Sequence, residues 1–114
     1  MLKVFQIVLT DSQIDEVNNN QDAMPAFYSR YLKTTFSPKA DDVNTAVEAG
    51  DYQHVADVSV DDLETGFAVM NRWNEVDEKL VRRLAPLHSM SVGDIVEKAD
   101  GTRHVVAAFG FEQI

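Results

Sequence analysis

Apolar and polar residues alternate at every second position in three stretches of this chain and recur every three to four positions between them. In Leu2 to Leu9, Val4, Gln6 and Val8 alternate with Lys3, Phe5, Ile7 and Leu9, and both sets are largely apolar. That pattern predicts a strand covered on both faces and central in its sheet. Tyr52 to Val58 predicts a second strand, with Tyr52, His54, Ala56 and Val58 set against Gln53, Val55 and Asp57. Near the C-terminus, Ser91 to Lys98 carries Val92, Ile95 and Val96, residues suited to a pleated surface. Beyond them, Val105, Ala107, Phe109 and Phe111 alternate with His104, Val106, Ala108 and Gly110. Asp100-Gly101 stands between these two runs and predicts a two-residue hairpin turn, since both residue types tolerate positive φ. The last run is apolar or small on both sides, which predicts one strand covered on both faces. Gly110 between two phenylalanines then marks a bulge or a close backbone approach.

The intervening stretches read as helices. Thr10-Asp11-Ser12 offers three N-cap residues ahead of Ile14 and Val17, and the run Asn18-Asn19-Asn20 ends that helix. Pro25 opens a second helix, on which Tyr28, Tyr31, Leu32 and Phe36, with Phe27, form an apolar face; Ser37-Pro38 ends it. A third starts near Asp41, buries Val43, Ala46 and Val47, and stops at Gly50. A fourth is predicted from Val60 to about Asn74, with Val60, Leu63, Phe67 and Met70 on one stripe, widened by Val69 and Trp73. Ser59-x-x-Asp62 is a loose capping box at its start, and Gly66 inside it predicts a close approach by another element. Val76, Leu80 and Leu84 suggest a further short helix over Glu75–Ala85, stopped by Pro86. The order β-α-α-α-β-α-α-β-β predicts a single α+β domain over residues 1–114. Its sheet is small and mainly antiparallel, of about four strands, with four to five helices and a C-terminal β-hairpin.

Composition narrows the function classes. The chain has 114 residues and no cysteine, so disulfides, thiolate metal sites and cysteine nucleophiles are excluded. No apolar run reaches the roughly 20 residues of a membrane span, and the expected location is the cytoplasm. The net charge of −9 is uneven: residues 59–78 carry six acids and one base, whereas residues 79–114 carry four acids and five bases. An acidic chain repels phosphate backbones, so nucleic acid is not the expected partner. The basic cluster Lys79, Arg82 and Arg83 is expected to pair with the acids of 61–64 or 75–78.

Glycine-rich phosphate loops, H-E-x-x-H and G-x-S-x-G are all missing, so the chain reads as a non-enzyme with no cofactor. His54, His88 and His104 lack metal-ligand spacing and read as ordinary surface or hydrogen-bonded histidines. His88-Ser89 and Ser91 suit a loop entering a strand, with hydroxyls bonding local backbone. Gly93-Asp94 interrupts an apolar run; Asp94 either pins the hairpin by accepting backbone hydrogen bonds or lines a ligand cleft, and the first reading is preferred.

The segment H-S-M-S-V-G-D-I-V, followed by a turn and G-F-E-Q-I, resembles the C-terminal signature of the YodL-like domain. His88, Ser89, Ser91, Val92, Asp94, Val96, Gly110 and Phe111 match it, and the resemblance covers about residues 52–114. His104 and Ala107-Ala108 depart from it. The resemblance implies an accessory protein of phages or plasmids that works without catalysis, by binding a host or phage protein in the host cytoplasm. His88, Ser91, Asp94, Gly110 and Phe111 are the expected binding or structural motif. Self-association through a strand edge can accompany this role, and RNA or nucleotide binding through the C-terminal hairpin region is the alternative.

Overall fold

The computed structural model of the chain describes residues 1–19, 24–71 and 79–114. Its strands are β1 (Leu2–Gln6), β2 (Gln53–Val58), β3 (Val81–Arg83), β4 (Ile95–Glu97), β5 (Arg103–Val106) and β6 (Phe111–Gln113). Its helices are α1 (Asp11–Asn19), α2 (Ala26–Phe36), α3 (Ala40–Glu48) and α4 (Leu63–Asn71). All strand pairs are antiparallel, in the order β3-β2-β1-β4-β5-β6. The α+β class stands, and β1 is central as its two-sided apolar pattern requires. The sheet is wider than four strands. Two departures from the sequence reading account for the difference.

The first is β3. Val81–Arg83 is a strand paired with the end of β2, where a helix over Glu75–Ala85 was expected. Three apolar residues at four-residue steps fit a helix, but a free edge of β2 offers ladder bonds over the same residues. Arg82 stands opposite Asp57 in this pairing. Glu75 to Glu78 lie outside the described residues, as do Asn20 and Trp73.

The second is the C-terminal strand. The chain turns at Ala107–Gly110, so the expected single strand from His104 to Phe111 becomes the hairpin of β5 and β6. Ala107 N–H donates to Gly110 O at 2.9 Å, and Gly110 takes φ of 79°. Gly110 is therefore a turn glycine, not a bulge within a strand. Phe109 on this turn is 97% exposed, against the expected burial. The β4–β5 loop also differs. It has three residues, Ala99-Asp100-Gly101, closed by Lys98 N–H to Thr102 O at 2.9 Å, and the Asp100 carboxylate holds Thr102 N–H.

Two apolar clusters sandwich the sheet. On one face Leu2, Val4, Ala56, Val58, Val96 and Val106 meet Val69 and Met70 of α4 and Met90. On the other, Ile95 and Val105 meet Val43 of α3, with Phe5, Val47 and Tyr52 against them. Gly66 lets α4 lie directly on β1, since a β-carbon there would overlap the Leu2 side chain. That approach matches the expectation for Gly66. The helix caps are more specific than the sequence suggested. Thr10 and Gln13 form a reciprocal capping box, with Gln13 N–H to Thr10 Oγ1 at 3.1 Å and Thr10 N–H to Gln13 Oε1 at 2.9 Å. Asp62, not Ser59, caps α4 by taking Thr65 N–H at 2.9 Å. The Thr65 hydroxyl and amide hold the Asp62 carboxyl below its ordinary pKa. Among the described residues, no helix is long and apolar enough to cross a membrane.

Candidate functional site

One end of the sheet gathers the polar residues of the C-terminal motif. Gln6 closes β1, and its side chain points to the buried face shared with Leu2 and Val4, where it is fully buried. A buried amide needs partners for both donors and its carbonyl. Gln6 Nε2 donates to His88 O and to Asp94 Oδ2, each at 2.9 Å, and Oε1 accepts His88 N–H at 3.1 Å. The side chain thereby continues the strand ladder for one more step, with the backbone of His88 as its partner.

Asp94 sits on a tight turn just before β4, not inside a strand. Its N–H donates to Ser91 O at 3.0 Å, while its Oδ2 accepts Ser91 N–H at 2.9 Å. Gly93, third in this turn, has φ of 95°, which a side chain disfavours. A β-carbon on Gly93 would also overlap the Thr34 carbonyl oxygen of α2. The turn is thus wedged against the last turn of α2 on one side and bonded to β5 on the other. Gly93 N–H donates to Val106 O at 2.8 Å, and Val106 N–H to Asp94 O at 2.9 Å. The Tyr52 hydroxyl, just ahead of β2, donates to Gly93 O. Arg30 of α2 grips Asp51 beside it with two bonds, which fixes α2 over this end.

The electrostatics follow from burial. Asp94 is only 4% exposed, and desolvation pushes its carboxyl up to about 6. The Ser91 N–H, the nearby His88 charge and the Gln6 amide pull the other way without cancelling it. Burial likewise holds the Tyr52 hydroxyl above its ordinary range; the Thr34 hydroxyl opposes this, and the charges of Asp94 and Asp51 add to it.

Beside the turn lies a cavity of about 380 Å³ lined by Ile7, Tyr31, Thr34, Ser89, Val92 and Asp94, with His88 and Ser91 at its wall. Asp94 thus accepts a backbone hydrogen bond within its turn and stands on the wall of this cavity. His88 and Ser91 come to the same place. The exposed His88 ring donates from Nδ1 to Ser89 O at 2.7 Å, and the Ser91 hydroxyl donates to the same oxygen at 2.9 Å. Gly110 and Phe111 lie elsewhere. Gly110 shapes the β5–β6 turn, and Phe111 packs edge-on against Phe67 of α4 with ring centroids 6.3 Å apart.

The other two histidines do not join His88. His54 stacks on Phe5 at 5.0 Å and bonds Asp57 at 2.8 Å, while His104 pairs with Val96 on the opposite face and meets the Thr102 hydroxyl. Among the described residues, no group of three His, Asp or Glu side chains could hold a metal ion.

Gln6, Thr34 and Tyr52 belong to this site, and sequence reasoning passed over them. Gln6 carried a usable signal, being the polar member of the series Leu2, Val4, Gln6 on a buried face. Thr34 and Tyr52 carried none, because their roles arise only when α2 and β2 converge on Gly93. No family model, curated protein or solved structure matches this chain.

Proposed function

We propose that this chain is a non-enzymatic protein-interaction module, in the accessory role that the YodL-like resemblance implies, acting in the host cytoplasm. The observation that carries this reading is Phe109. It is a large apolar side chain, 97% exposed, presented on a closed turn between Ala108 and a glycine with positive φ. An aromatic ring held clear of its own surface on a closed turn is free to enter a partner's pocket, as interface anchors do. Phe36, 77% exposed at the end of α2, supplies a second ring. Phe36 ends α2, whose Thr34 abuts Gly93, and Phe109 stands on the turn that follows β5, whose Val106 bonds Gly93. The partner is a protein with an apolar pocket for Phe109 and a basic rim that complements the net charge of −9.

The nucleic-acid alternative has less support. Arg103, which with Lys98 supplies the cations of the C-terminal hairpin, is committed to Glu97 at 2.9 Å and lies over the Phe5 ring. Self-association would use the outer edge of β6, which pairs only with β5 among the described residues.

The test is affinity capture from host lysate with the intact chain, F109S, and an exposed-site control, E48S on α3. A partner retained by the intact chain and E48S but lost by F109S supports the reading. Equal recovery with F109S overturns it.

A further inference from the structure

The cavity beside Asp94 has an acceptor without a donor. Asp94 Oδ2 takes both Gln6 Nε2 and Ser91 N–H, whereas Oδ1 accepts no hydrogen bond from any described residue. A carboxylate oxygen can accept two bonds, and leaving one unused at 4% exposure is costly. Ser89, Ser91 and Thr35 also line the cavity, and a hydroxyl oxygen can accept. Its apolar wall is formed by Ile7, Val92 and the Tyr31 ring. The chain as a whole carries a net charge of −9, which favours the approach of a cation, and Asp94 and His88 are the charged side chains on the cavity wall among the described residues. Metal is a poor fit, since Asp94 is the lone carboxylate on this wall among the described residues and hard cations take several oxygen ligands. An ammonium suits the set better, because three N–H donors on a compact head match one carboxylate oxygen and neighbouring hydroxyls.

We infer that this cavity binds a primary ammonium group on a short aliphatic stem, with Asp94 Oδ1 accepting from the ammonium and Ile7, Val92 and Tyr31 covering the stem. The site is independent of Phe109 and stands whether or not the interaction reading does. A free amine and a lysine side chain of a bound peptide share this chemistry.

The test is an amide NMR titration of the intact chain with n-butylammonium, with n-butyltrimethylammonium as a probe of equal charge and no N–H. Saturable shifts confined to Thr34, Thr35, Ser91, Gly93 and Asp94 are expected from the first probe and not the second. D94N should weaken binding by at least about tenfold. V92W fills the cavity without altering the carboxylate, should also abolish the response, and decides the matter if D94N does not fold. Comparing n-butylammonium with acetyl-Gly-Lys-Gly-amide separates the two sources: tighter binding of the peptide assigns the site to a lysine, and the reverse to a free amine. Absence of localised shifts, an equal response to the trimethyl probe, or unchanged affinity in V92W overturns the inference.

Discussion

Gln6 and Asp94, 88 positions apart, are joined by a 2.9 Å hydrogen bond from Nε2 to Oδ2 in the buried end of the sheet. That bond ties the first strand to the turn that launches β4. It makes the N-terminal strand part of a motif that otherwise lies wholly in the last quarter of the chain.

Replacing Gln6 with leucine keeps the apolar character of the face but removes three hydrogen bonds. The His88 N–H and carbonyl lose their partner, and Asp94 Oδ2 keeps only Ser91 N–H. Chemical denaturation of Q6L is expected to show a loss of about 3 kcal/mol. A loss below about 0.5 kcal/mol would mean that the loop at His88 is held by other contacts.

Asp94 gives a pH prediction with a definite sign. Its folded pKa of about 6 lies above the ordinary carboxylate value, so the folded state holds the proton more tightly than the unfolded chain. The stability that this group contributes is present below about pH 4 and is lost as pH rises through about 6. His88 on the preceding loop and Tyr52 ahead of β2 are the titratable groups facing it. In D94N the amide oxygen can still accept from Gln6 and Ser91 without a buried charge. Thermal unfolding of D94N is expected to show a gain of up to about 3 kcal/mol near neutral pH. That advantage should vanish towards about pH 4, where both proteins carry a neutral group.

Gly93 and Gly110 both have positive φ, but only Gly93 faces another element. G110A should cost about 1 kcal/mol from backbone strain alone. G93A adds a collision with the Thr34 carbonyl and should cost about 3 kcal/mol or more. Side-by-side denaturation curves check the contrast, and equal losses would show that α2 does not wedge the turn.

F109S should leave stability within about 0.5 kcal/mol of the parent, since the residue is 97% exposed. Unchanged melting with lost partner capture separates a binding residue from a folding one.

Much of this fold was legible in residue periodicity, and the misses have physical causes. The two-sided apolar pattern of Leu2 to Gln6 placed β1 at the centre, and Pro25, Gly50 and Pro38 punctuated the helices where the structure has them. The β3 segment was misread because Leu80 and Leu84 keep helical spacing, whereas pairing with β2 depends on a neighbour distant in sequence. The turn at Ala107–Gly110 hid because alanine at two of its positions preserves an alternating pattern through it. The site was half legible. His88, Ser91 and Asp94 share a single loop and stand close together in the sequence. Their partners Gln6, Thr34 and Tyr52 come from three separate elements, and only Gln6 breaks its local pattern.

The most direct test is the titration of the Asp94 side chain, followed through its carboxyl ¹³C shift in the intact protein. A buried carboxyl with one oxygen committed to Gln6 and Ser91 should titrate near pH 6, and Q6L should move that midpoint upward by removing a donor to the carboxylate. A midpoint at or below about 4, unmoved by Q6L, would place Asp94 in solvent and contradict the site as described.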